Sequence, residues 1–148
     1  MYLRFSFILL IIISCPNANQ NEIFRSISIS PDEEISLGEK FQQKEEIAVQ
    51  VTPFVFELFD GSFGSASSIT IFTDSLFQVD SISFQYSVDY DFDEGTTNYI
   101  SVLGMPEKVI NSDTLVLVIW KDERTTFQLE QEKNSAQNNI YSILKDNI

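Results

Sequence analysis

The chain has no histidine and only one cysteine among its 148 residues. Without histidine there is no Ser/His/Asp or Cys/His catalytic group, no histidine zinc ligand and no imidazole proton switch. A single cysteine excludes an intramolecular disulfide. Basic residues are scarce: 9 Lys and Arg stand against 22 Asp and Glu, a net charge of −13. Proteins that neutralise phosphates are basic, so nucleic acid is excluded as a partner. No glycine-rich phosphate loop or nucleophile elbow is present. Asp60-Gly61-Ser62-Phe63-Gly64 sets a serine between glycines, but nothing in the chain could activate it as histidine would. These absences point to a protein that is not an enzyme and needs no cofactor. What is there, 43% hydrophobic and 21% charged residues, is the composition of an ordinary globular protein, and the length suits one domain.

The first fifteen residues are the most informative. Arg4 is their only charge, Phe5 to Ile13 is apolar except for Ser6, and the chain turns polar directly after Cys15. A positive start, a short apolar centre and a small-residue exit make a secretory signal. The apolar run is about half of the ~20 residues a spanning helix needs. Its end, Ile12-Ile13-Ser14-Cys15, resembles the lipobox of bacterial lipoproteins: an aliphatic residue, a tolerant position, a small residue, then cysteine. The best lipoboxes carry Leu first and Ala or Gly near the cut, a mild departure. The resemblance covers only this segment. It implies diacylglycerol (commonly with palmitate-type acyl chains) on Cys15, cleavage before Cys15, and anchoring to a bacterial membrane, periplasmic or surface-facing. Two or more acyl chains on one residue suffice for stable attachment. The expected division is a signal peptide at 1–14, a polar tether at 15–22 and a β-rich domain at 23–148.

The remainder reads mainly as strands, being rich in Phe, Ile, Val, Thr and Tyr. Ser81 to Asp93 alternates strictly, with Ile82, Phe84, Tyr86, Val88, Tyr90 and Phe92 on one face, which predicts a long strand with one wet side. Leu115 to Trp120 is apolar without alternation and reads as a central strand buried on both faces, with Leu117 in the core. Lys121 to Arg124 predicts a turn and Thr125 to Glu130 a returning strand, Phe127 and Leu129 inward. In Glu45 to Phe59 the apolar phase changes at Thr52-Pro53, where a bend or strand switch is expected. Ile23–Ile29, Ser68–Thr73 and Asn98–Leu103 predict further short strands. Ser30-Pro31-Asp32-Glu33 has the residues of a short helix start. Ile140, Ile143 and Leu144 fall at helical spacing and predict a C-terminal helix over 135–147. The expected fold is therefore mainly β, a single antiparallel β-sandwich of immunoglobulin-like type with a short C-terminal helix.

Between Lys44 and Lys108 there is no basic residue but there are eleven acids. A solvated acidic surface that keeps sheets from pairing explains this; a docking face for a basic protein partner is the sharper alternative. Asp89, Asp91 and Asp93 resemble the start of an EF-hand loop. Glu94 stands where that loop needs glycine, and Ile100 where it needs glutamate. An EF-hand is thereby excluded, and the three acids remain candidates only for a looser calcium site on a strand face. Phe63, in a Gly- and Ser-rich loop, is a candidate partner contact. The functional expectation is a lipid-anchored envelope protein with a non-catalytic binding or assembly role. The alternative is a secreted hydrolase or calcium-dependent carbohydrate-binding module working through acidic residues.

Overall fold

The computed structural model describes residues 22–30, 33–43, 48–58, 65–133 and 139–148. Ten strands and one helix follow in order: β1 (Ser26–Ser30), β2 (Glu33–Ser36), β3 (Ala48–Thr52), β4 (Val55–Leu58), β5 (Ala66–Thr73), β6 (Val79–Tyr86), α1 (Phe92–Leu103), β7 (Lys108–Asn111), β8 (Leu115–Lys121), β9 (Thr125–Glu132) and β10 (Asn139–Asp146). The fold is mainly β and antiparallel, as expected. The strands divide into an eight-stranded sheet, ordered β3-β4-β5-β6-β10-β9-β8-β7, and the β1–β2 hairpin. The change of apolar phase at Pro53 marks a hairpin turn, after which β4 pairs back on β3.

The core lies on one face of the large sheet. Strand register sets Phe56, Ile71, Ile82, Leu144, Phe127 and Trp120 in one row across six strands. Leu58, Ile69, Phe84, Ser142, Leu129 and Val118 form the neighbouring row. Side chains alternate along a strand, so each strand turns one residue in two toward this face. The N-terminal segment and helix close this face from above. Phe24 packs on Phe127, with ring centres 5.3 Å apart, and Tyr99 of α1 packs on Phe127 at 4.5 Å and on Trp120 at 5.9 Å. Phe41 covers Phe56 at 4.8 Å.

Five expectations are overturned. The alternating strand ends at Tyr86 rather than Asp93, and the strand expected at 98–103 is the second half of α1. The cause is capping: the Asp91 carboxylate accepts from the backbone N–H groups of Asp93 and Glu94, which starts a helix where alternation alone would continue a strand. The C-terminal helix is instead β10, whose residues Ile140, Ser142, Leu144 and Asp146 alternate inward. Ser142 occupies a core position, which hid the two-residue period. Of the residues read as a helix start, Ser30 ends β1 and Glu33 opens β2, while residues 31 and 32 lie outside the described residues. Leu117 is half-buried on the open face of the sheet, while its neighbours Val118 and Trp120 are the buried residues of β8.

Candidate functional site

The strand ends place five chain segments around one cavity of about 580 Å³. Arg25 from the segment before β1, Gly38 after β2, Asp74 and Gln78 from the β5–β6 turn, Arg124 from the β8–β9 turn, and Asp146 at the end of β10 with Ile148 beyond it line it. Two guanidinium groups thus face four carboxylates, those of Glu39, Asp74, Asp80 and Asp146. The central pair is Arg25 and Asp146, 2.6 Å apart and mostly buried. Arg25 also donates to the Thr125 hydroxyl at 2.8 Å and to the Arg124 carbonyl at 3.0 Å. Such satisfaction is what makes a buried ion pair tolerable, since desolvation of either charge alone is costly.

Two further acids at this end, Asp122 and Asp74, hold backbone. Asp122 Oδ1 accepts from Arg124 N and Thr125 N, and its Oδ2 accepts from Ile23 N at 2.9 Å, tying the N-terminal segment to the β8–β9 turn. Asp74 Oδ1 accepts from Leu76 N and Gln78 N and shapes the β5–β6 turn. Gly38 lies at φ +78°, a conformation that favours glycine, and a Cβ there would stand 3.2 Å from Asp146 Oδ2, so that carboxylate would have to give by a few tenths of an ångström. Phe77, in the same turn as Asp74, has φ +62°, a conformation that costs a bulky residue about 1–3 kcal/mol. The surroundings that hold it are Phe54, at 5.8 Å between ring centres, and the Phe41 N–H, which donates to the Phe77 carbonyl. These carboxylates and the central guanidinium are engaged in fastening chain segments, which makes the cavity an architectural junction.

A second cluster lies at the opposite end of the sheet. The Tyr86 hydroxyl shares hydrogen bonds with Ser142 Oγ at 2.8 Å and the Tyr99 hydroxyl at 2.9 Å. Tyr90 stacks on Tyr86 with ring centres 4.0 Å apart. Burial pushes all three phenols above their ordinary range, and their mutual proximity pushes Tyr86 and Tyr90 further.

Of the residues singled out in the sequence, Cys15 and Phe63 lie outside the described residues. Asp89, Asp91 and Asp93 do not share a strand face: Asp91 caps α1 at 2.9 and 3.0 Å from the two amides, Asp93 is in the first helical turn, and Asp89 lies in the preceding turn. Among the described residues, no three His, Cys, Asp or Glu side chains gather where they could hold a metal ion. Reading residues by type missed Arg25, Asp122 and Asp146; the signal for Asp146 was its two-residue spacing from Leu144 and Ser142. No protein-family model, curated protein or solved structure matches the chain.

Proposed function

We propose that this chain is a bacterial envelope lipoprotein, anchored through acyl chains on Cys15 and acting by binding or assembly rather than by catalysis. The observation that carries the reading is Ile12-Ile13-Ser14-Cys15 at the end of a short apolar run led by Arg4. The folded part begins close behind it: Ile23, eight residues after Cys15, is buried and bonded to Asp122. The chain-wide lack of histidine and the engaged state of the cavity's central charges support a non-catalytic role. The domain is read as a layered β fold of sandwich type, the eight-stranded sheet forming one layer and the hairpin with α1 the other. Its acidic surface suits a basic protein partner. The calcium-dependent alternative draws no support from Asp91, whose carboxylate already serves α1.

Expression in a bacterium with labelled fatty acid tests the proposal. Label should enter the protein, Cys15→Ser should abolish it, and the mature chain should begin at residue 15. Equal labelling of the variant, or an unprocessed N-terminus, refutes it.

A further inference from the structure

Apolar side chains are exposed at the same end of the sheet at which the N-terminal segment is fastened. Leu76 is 67% exposed, Phe54 41% and Phe77 39%. Phe54 belongs to the β3–β4 turn, and Leu76 and Phe77 to the β5–β6 turn. The turns touch: Thr73 N donates to the Phe54 carbonyl at 2.9 Å, and the Phe54 and Phe77 rings pack together. The β5–β6 turn also borders the cavity that holds Arg25. The chain that runs back to Cys15 leaves the domain at Ile23, bonded to Asp122 of the β8–β9 turn, at the same end of the sheet as these turns. Seven residues lie between Cys15 and Ile23, a span of eight Cα-to-Cα steps. Fully extended they reach at most about 29 Å. An anchor on so short a leash keeps this end of the sheet near the bilayer.

We infer that the tips of the β3–β4 and β5–β6 turns form a membrane-contacting surface, with Phe54, Leu76 and Phe77 seated in the interface of the bilayer to which Cys15 is anchored. The inference rests on the anchor reading and deepens it, since it fixes which end of the domain faces the lipid. Aromatic and aliphatic side chains at the headgroup boundary gain by leaving water, while the backbone of a turn stays hydrated. Clustered exposed apolar side chains mark such contact sites. The left-handed Phe77 serves this purpose: the turn keeps a large ring at its surface in a conformation that glycine or asparagine would adopt more easily. Asp74, Asp80 and Glu39 line the cavity that the β5–β6 turn borders, so this end of the sheet suits zwitterionic rather than anionic lipid.

The test places single tryptophans in the full chain and reads their quenching by phosphatidylcholine vesicles with brominated acyl chains. Trp120, the chain's own tryptophan, is buried and supplies the baseline. Leu76→Trp and Phe54→Trp should lose about half of their added emission. Val88→Trp, 73% exposed beyond the other end of β6, should lose none. Absence of quenching at 54 and 76, or equal quenching at 88, overturns the inference. Fatty-acid labelling of the same preparations scores the anchor separately: labelled protein without quenching at the turns leaves the anchor standing and removes the contact. Unlabelled protein that is still quenched at the turns removes the anchor and keeps the contact.

Discussion

Gly95 sits inside α1, where alanine would ordinarily stabilise the helix by about 0.8–1.0 kcal/mol. Here the surroundings reverse the sign. A Cβ at position 95 would lie 2.0 Å from the Tyr90 hydroxyl oxygen, 2.5 Å from Cζ and 2.8 Å from Cε1. Ordinary carbon contacts begin near 3.5 Å, so the ring must retreat by about 1.5 Å. The retreat breaks the stack on Tyr86, worth about 0.5–1.5 kcal/mol. It also uncovers part of a half-buried ring, worth about 1 kcal/mol when a full side chain contributes roughly 1.5–3. Against the helical gain, Gly95→Ala should destabilise the protein by about 0.5–1.5 kcal/mol. In a Tyr90→Ala background the obstruction is gone, and the same substitution should stabilise by about 0.8–1.0 kcal/mol. The two effects differ by roughly 2 kcal/mol, a coupling that a double-mutant cycle resolves. Urea titrations followed by Trp120 fluorescence supply the midpoints, since that indole is buried against Tyr99 and Phe127. Stabilisation by Gly95→Ala in both backgrounds would refute the reasoning.

Three further outcomes are expected. Leu129→Ala, at a fully buried site, should cost about 2–5 kcal/mol, and Leu117→Ala on the open face clearly less; equal midpoints in urea would show the core assigned to the wrong face. Asp91→Ala should cost about 0.5–2 kcal/mol through loss of the α1 cap, whereas Asp91→Asn keeps the cap and should cost little, and millimolar calcium should leave the melting temperature of each unchanged. The phenols of Tyr86, Tyr90 and Tyr99 are held neutral by the fold, so their contribution is complete below the ordinary tyrosine pKa near 10. It is lost as pH rises through and above that value, because the unfolded chain releases those protons first. Tyrosinate absorbance should rise for these residues only together with unfolding, and titration ahead of unfolding would contradict the burial.

Much of the sheet was legible in the sequence because its signals are local. The Lys121–Arg124 turn and the inward Phe127 and Leu129 follow from alternation beside a polar break, and the switch at Pro53 follows from a missing N–H. Two misreadings have separate polar causes. Tyr86, Ser142 and Tyr99 form a buried polar trio, and a core serine breaks the apolar period that would have marked β10 as a strand. Likewise Val88 and Tyr90 continued an apolar alternation that the Asp91 cap cuts short. The cavity was illegible for a different reason: Arg25 and Asp146 are 121 positions apart, and only the completed sheet brings them together.

The position of β10 has a consequence for how the molecule comes into being. The strands β3 to β6 can pair as they emerge, and so can β7 to β9, each with its sequence neighbour. Neither group touches the other within the sheet until residues 139–146 slide between β6 and β9, adding both sets of ladder bonds at once. Contacts of such long sequence separation form late and slowly. A chain that lacks its last strand is thus divisible into two unfinished half-sheets with open flanks, and the sheet closes only when residues 139–146 take their place.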